Sequence, residues 1–205
     1  MNDNKVAKSV AKIDIDVYFN FRSPYCYLAS KNMFSIFDEY DVNFLWKPFG
    51  GWSGRSSPER VKTKIHLVRQ DVARSCRKMG IPFSPPPVET DPTLAGAISF
   101  AAEKEGLLKP YIIEVMRKEW AEGHNIGEID VLFEVADIIG LSRGMVEEVS
   151  SNELYLTQMD ENWQEAQSKG VIGVPSFTVE GQVFWGNDRI DSLKDHLHEL
   201  RLRKI

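Results

Sequence analysis

Apolar and polar residues alternate over Ile13-Asp14-Ile15-Asp16-Val17-Tyr18-Phe19, the period of a strand with one face in a core. Asn20 to Ser23 follow as a turn. Pro24 then stands where a first helical position tolerates a missing N–H, with Ser23 as the N-cap of a helix expected to run to about Tyr40. A second apolar run, Val42 to Trp46, comes after only Asp41 and leads into Lys47-Pro48. The chain therefore opens β-α-β, and the helical crossover makes the strand pair parallel.

From Ser57 to about Lys169 the pattern turns helical. The first segment, Pro58 to Met79, has Ser57 as cap, Pro at its first position, Glu59 in the first turn and Gly80 as its stop. Ser84 to Pro92, with three consecutive prolines, is a stiff extended connection. Helices are then expected over Thr93–Glu105, Lys109–Glu122, Ile129–Ile139, Ser142–Val149 and Asn152–Lys169, punctuated by Gly106, Gly123 and Gly140. Met116, Trp120, Leu132 and Phe133 recur at helical spacing and are assigned to packing. Strand character returns in Ser176–Val179 and Gln182–Trp185, joined by the hairpin turn Glu180-Gly181. A last amphipathic helix, Arg189 to about Arg203, carries Ile190, Leu193, Leu197 and Leu200 on one stripe. The sum is an α/β chain: β-α-β, a helical block, then β-β-α.

Composition narrows the function. With 205 residues, 42% of them hydrophobic and 27% charged, the chain is that of a globular protein with a real core. Its 30 acidic residues against 25 basic ones leave a net charge of −5, which argues against a nucleic-acid partner. Two cysteines, Cys26 and Cys76, are too few for a disulfide framework. Met1 to Lys12 is polar and lacks the apolar stretch of a signal peptide, so it is expected to be a flexible tail and the protein cytoplasmic. No run approaches the roughly 18 apolar residues of a membrane span.

Three short stretches can carry chemistry. Phe19-Asn20-Phe21-Arg22-Ser23-Pro24-Tyr25-Cys26 has the layout of a thioredoxin-type active site with Ser23 in place of the first cysteine of C-x-x-C. A thiol there is activated by helix N–H groups and the helix dipole. Ser23 has no redox chemistry of its own, but its hydroxyl can donate a hydrogen bond to the sulfur anion of a ligand, or it can simply cap the helix. Gly173-Val174-Pro175-Ser176-Phe177 places a Val-Pro directly before a strand. A cis bond there would expose the Val174 backbone to a peptide-like ligand, whereas a trans-Pro would merely start an edge strand. Trp185-Gly186-Asn187-Asp188-Arg189 puts Asn187 and Asp188 at cap positions, where they can hold a ligand's amino and carboxylate groups or only cap the last helix.

Together these stretches resemble the glutathione-dependent branch of the disulfide-oxidoreductase-like thioredoxin superfamily, the 2-hydroxychromene-2-carboxylate isomerases and kappa-class glutathione transferases. The likeness spans Ile13 to about Leu200, through Ser23-Pro24-Tyr25, Gly173 to Phe177 and Trp185 to Arg189. It implies a thioredoxin-like fold with a large all-helical insertion: residues 13–57 and 168–205 as the thioredoxin-like domain, and 58–167 as the insertion. It implies glutathione as cofactor, with Ser23 stabilising its thiolate, Val174 pairing with its cysteinyl unit, Pro175 as a cis proline, and Asn187 and Asp188 holding the γ-glutamyl end. Lys64, at the family's lysine spacing, would reach the glycyl end, and Arg55 stands where the family usually has Asn.

The reaction so implied is a glutathione-dependent isomerisation of a small aromatic carboxylate in aromatic-compound degradation, with a kappa-like transferase or peroxidase as the alternative. A thiol–disulfide protein or non-catalytic binder is a third reading, opposed by the missing first cysteine. Lys47, Arg55 and Lys64 are candidate cations for the substrate carboxylate, and Tyr25, Phe21, Trp52 and Trp185 are candidate walls of an aromatic slot. Cys26 is expected to be buried packing. No metal set is expected, since His66, His124, His196 and His198 show no partnered ligand spacing. The resemblance also implies a homodimer.

Overall fold

In the computed structural model, which describes residues 12–204, the strand β1 (Ile13–Phe19) pairs on both sides. It runs parallel to β2 (Val42–Pro48), with Ile13 opposite Val42 and Phe19 opposite Pro48. It runs antiparallel to β3 (Ser176–Val179), with Tyr18 opposite Ser176. A hairpin adds β4 (Gln182–Trp185), giving the order β2-β1-β3-β4. Its two turn residues, Glu180 and Gly181, both have positive φ, 49° and 76°, as the primed turns that suit strand twist require. Apart from Lys12, the tail expected over residues 1–12 lies outside the described residues.

The alternation in β1 predicts one buried face, yet every residue from Ile15 to Phe19 is buried. Asp16 is tolerated inside because Lys169 Nζ lies 2.8 Å from its Oδ2 and Thr178 Oγ1 donates to the same oxygen at 2.7 Å. The crossover differs from the single helix expected to Tyr40: it is two short helices, α1 (Pro24–Ala29) and α2 (Phe34–Glu39). At the break the amides of Lys31 and Asn32 bond three residues back, to Leu28 and Ala29, and the Ser30 hydroxyl bonds the Tyr27 carbonyl at 2.7 Å. Such side-chain competition for the backbone disfavours a continuous helix.

Between β2 and β3 run α3 (Pro58–Met79), α4 (Thr93–Lys104), α5 (Leu108–Met116), α6 (Ile129–Ile139), α7 (Arg143–Ser150) and α8 (Leu154–Ser168). The predicted ends of α3 hold: Ser57 accepts from the Arg60 amide, and Gly80 closes the helix at φ 67°. The segment expected as a plain continuation of α5 instead widens into a π-helical turn over Arg117–Ala121. The last helix, α9 (Ile190–Glu199), stops short of Arg203. Arg201 takes φ 59°, and the chain then bridges Arg203 to Tyr40. Ile190, Leu193 and Leu197 are buried, whereas Leu200 is largely exposed.

The helical block and the sheet share one core. Phe21 meets Tyr111 edge-on at 5.8 Å, and Trp46 Nε1 donates to Ser99 Oγ at 2.8 Å. Phe49, fully buried, continues the sheet through its amide to the Phe19 carbonyl (2.8 Å) and packs its ring on Tyr18 and Trp163. Gly96 on α4 is required beside it, since a Cβ there would lie 2.8 Å from Met159 Sδ and 3.3 Å from the Phe49 carbonyl. Met116, Trp120 and Leu132 are buried, and Phe133 packs against the core.

Phe49 is thus a joint between sheet, α4 and α8. Phe49→Ala is expected to remove about 3–5 kcal/mol in urea unfolding, the range for a fully buried aromatic. A loss below about 1 kcal/mol would show that the joint lies elsewhere.

Candidate functional site

The pairing of Tyr18 with Ser176 brings the turn after β1 against the residues before β3. The turn is closed by the Ser23 amide to the Asn20 carbonyl (2.9 Å) and by the Asn20 side chain accepting from the Arg22 amide (2.9 Å). Asn20 Nδ2 also donates to Ser53 O at 3.1 Å and Gly51 O at 3.4 Å, which fastens the loop after β2 to the same place. Opposite lies a cis Val174–Pro175 bond. The loop passes close over it, for a Cβ on Gly54, whose φ is 68°, would lie 2.9 Å from Val174 Cγ1. Three segments distant in sequence thus meet at Ser23.

Ser23 is the N-cap of α1, 8% exposed. Its Oγ accepts from the Cys26 amide at 3.4 Å and donates to the Val174 carbonyl at 3.5 Å. Both bonds sit at the long limit of hydrogen-bond geometry, so the hydroxyl is weakly committed. The helix it caps, α1, has 6 residues rather than the full crossover expected. Cys26 is fully buried, and burial pushes its thiol up to about 12 against the hydrogen bonds from Asn20 and Ser23. Cys76 is buried as well, and its thiol is likewise pushed up.

The other expected residues fall into two groups. Near Ser23, Tyr25 donates to Asp71 Oδ2 on α3 at 3.0 Å; burial and that acid push its phenol up to about 12. Trp185, 52% exposed, stands over Gly173, where a Cβ would lie 2.8 Å from its Nε1. Asn187 and Asp188 lie in a 3-10 turn, Asn187–Arg189, and α9 begins only at Ile190, with no side-chain capping bond at either start. Capping therefore does not explain them. Asp188 is exposed, with Arg189 at 3.5 Å, and its charge acts on the Tyr25 phenol. Arg55 lies 4.0 Å over the half-exposed Trp52 ring and donates to Gly51 O at 3.2 Å; burial lowers it to about 10.

Three expected residues stand apart. Lys47 is tied to Glu165 on α8 at 2.8 Å, where that acid also meets Lys169. Phe21 is core and no slot wall: it is fully buried, edge-on to Phe19 and Tyr111. Lys64 is exposed on α3.

The sequence reading missed Arg22 and Glu119. Glu119, in the π-helical turn, is fully buried, with Oε1 3.3 Å from Arg22 Nη1. Burial pushes its carboxyl up to about 8, against the pull of Arg22 and Arg55. Arg22 also donates to the Pro87 carbonyl at 2.7 Å and lies 5.4 Å over Trp120. Helical periodicity marks only its apolar neighbours Met116 and Trp120, so the sequence carries no signal for Glu119. Among the described residues no group of three or more His, Cys, Asp or Glu side chains suits a metal ion. Among the described residues no helix is long and apolar enough to cross a membrane either.

A strand–turn–helix capped by Ser23, facing a cis proline on a β2-β1-β3-β4 sheet with a helical block inserted, is a thioredoxin-type arrangement. The chain belongs to the family of the DSBA-like thioredoxin domain, whose model matches residues 14–198. A 2-hydroxychromene-2-carboxylate isomerase of Pseudomonas putida is 24% identical over 196 residues, which cover 91% of this chain and 95% of that one. Glutathione S-transferase kappa 1 of Caenorhabditis elegans is 24% identical over 211 residues, 90% of this chain and 91% of the relative. Among solved structures, a selenomethionine 2-hydroxychromene-2-carboxylate isomerase superposes with a TM-score of 0.79 at 22% identity, covering 92% of this chain and 96% of the other.

Burial and the raised thiol predict that iodoacetamide at pH 8 leaves both cysteines of the native protein unmodified, and that urea exposes both to alkylation, as read by mass spectrometry. A native adduct on Cys26 would contradict the sealed thiol.

Proposed function

We propose that this chain is a glutathione-dependent isomerase acting on a small aromatic carboxylate of the 2-hydroxychromene-2-carboxylate type. The observation that carries the reading is Ser23: a weakly committed hydroxyl beside the Val174 carbonyl, with the only nearby thiol sealed in the core. A hydrogen bond to an anion is shorter and about twice as strong as a neutral one. The Ser23 hydroxyl would therefore turn from Val174, 3.5 Å away, to a sulfur anion and favour that ionised form.

The residues around it fit the rest of a γ-glutamyl tripeptide. Val174 offers backbone beside the turn for a peptide-like segment. Asn187 and Asp188, relieved of any capping task, offer an amide and a carboxylate for the α-amino and α-carboxylate groups of the γ-glutamyl end. For the glycyl carboxylate the resemblance offers Lys64, an exposed cation on α3 that stands apart from this cluster. When bound, glutathione would supply a sulfur nucleophile for reversible addition, so that the product keeps the substrate's atoms.

Trp52, Trp185 and Tyr25 form the walls of the aromatic slot. Arg55, held 4.0 Å from the centre of the Trp52 ring, faces the carboxylate in place of Lys47, which Glu165 already neutralises. The kappa 1 relative favours a second reading in the same site, a transferase in which glutathione stays on the product. Thiol–disulfide exchange is opposed by Ser23 at the nucleophile position and by the burial of Cys26.

Calorimetric titration of glutathione into the protein tests the reading. Binding is expected in the wild type and about tenfold weaker, some 1.4 kcal/mol, in Ser23→Ala and in Asp188→Ala. Absence of wild-type binding would overturn the isomerase and the transferase together. Turnover of the chromene carboxylate without glutathione in the product separates the first from the second.

A further inference from the structure

The Arg22–Glu119 pair is left unused by the chemistry above, and burying it is expensive. Glu119 has no solvent exposure, and only one of its oxygens is bonded: Oε2 has no partner, nor has Arg22 Nε. A buried ionised carboxyl normally needs both oxygens satisfied, and one left half-satisfied is a liability in a purely structural role. The helix departs from α geometry at this residue, and π-turns are frequent at functional sites.

The surroundings give the pair a role. Arg22 directly precedes Ser23, and Trp120 Nε1 donates to the Phe21 carbonyl at 3.2 Å, so the turn that presents Ser23 is fastened to the turn that holds Glu119. Arg55 reaches the same place from the loop after β2, and the charges of Arg22, Arg55 and Glu119 act on one another. Two guanidiniums and one carboxyl thus lie beside the turn that presents Ser23. Their sum is +1 when Glu119 is ionised and +2 when it is protonated.

We infer that Glu119 is a positioning residue of the Ser23 site, a buried carboxyl that anchors Arg22 and whose protonation sets the positive charge met by an anionic ligand, so that anion binding draws a proton onto it. The inference deepens the proposed function and rests on it only in taking the ligand of the Ser23 cleft to be anionic. Ionised Glu119 repels such an anion, so affinity is higher below its titration and falls as pH rises through about 8. By linkage the anion raises the Glu119 titration by the same free energy.

Other charged or titratable groups surround it. From the turn before α1 comes Arg22, lowered by burial yet an arginine still; from α1 comes Cys26, at about 12; from the loop after β2 comes Arg55, at about 10. Arg69 on α3, with Glu89 and Asp91 in the connection before α4, acts on the two arginines. On its own turn, Lys118 is occupied by Glu134 at 2.6 Å.

The probe is 2-naphthoate, an aromatic carboxylate ionised throughout the range tested and free of the thiol and amino titrations of glutathione. Its affinity is measured between pH 6.5 and 9.5 in wild type and Glu119→Gln, together with proton uptake from calorimetry in two buffers of different ionisation enthalpy. Wild-type affinity is expected to fall about fivefold or more across the range, with net proton uptake near pH 8. Glu119→Gln is expected to bind with a flat profile and no uptake. If that variant does not fold, Arg22→Lys must move the wild-type profile to higher pH, because the carboxylate loses its anchor.

A flat wild-type profile, absence of naphthoate binding, or an unchanged profile in Glu119→Gln overturns the inference. Glutathione binding with a pH-flat naphthoate profile overturns it while leaving the proposed function intact. A coupled naphthoate profile without glutathione binding does the reverse.

Discussion

The site exists because β1 has a different partner on each side. Parallel pairing with β2 carries the chain across to Phe49 and the loop above it, while antiparallel pairing with β3 fixes Tyr18 against Ser176. A slip of one residue in the second register would turn every side chain of β3 to the other face. It would also carry Val174 away from Ser23. The register is held by burial: Val17 and Phe177 are opposite one another with no exposed surface, and Asp16 meets Thr178 by a hydrogen bond on the other face. A polar contact inside a sheet is a strong specifier of register, because any shift would strand a buried carboxylate.

The two charged networks on either side of β1 are built by different rules. Asp16, Lys169, Glu165 and Lys47 alternate in sign, each within ion-pair distance of the next, and nearly neutralise one another. Arg22, Glu119 and Arg55 carry an excess of positive charge and leave polar atoms unmatched. The first leaves no net charge to be desolvated. The second is tolerable only where something else gains from it, and it lies on the side of the sheet end where Ser23, the cis proline and the exposed tryptophans gather.

Much of this was legible in the sequence, and for identifiable reasons. Strands β1 and β2, the Glu180-Gly181 hairpin and both ends of α3 are local features, decided by alternation, turn chemistry and caps. Ser23, Val174-Pro175 and Asn187-Asp188 could be picked out because their motifs are short and lie at element boundaries. The departures arose where a short-range side-chain bond or a tertiary contact overrides the helical pattern. Ser30 breaks the crossover helix, although Ser is tolerated in many helices; the bridge from Arg203 to Tyr40 shortens α9, although its apolar stripe continues to Leu200. Lys47 looked available because its acid, Glu165, is far away in sequence. Glu119 was invisible for the opposite reason: a helical periodicity assigns its neighbours to the core, and nothing in the pattern says that a carboxylate there is inside too.

The stacking around Trp120 has one more consequence. Its indole has the Phe83 ring parallel to it at 6.1 Å and the Arg22 guanidinium 5.4 Å from its centre. Indole emission responds to the electric field across the ring, and this one sees the field of Arg22, the counter-ion of the buried Glu119 carboxyl. The protein carries 5 tryptophans, so the signal is mixed in the native chain. With the other indoles replaced by phenylalanine, Trp120 becomes an intrinsic optical indicator of the charge beside the Ser23 turn, needing neither label nor ligand analogue.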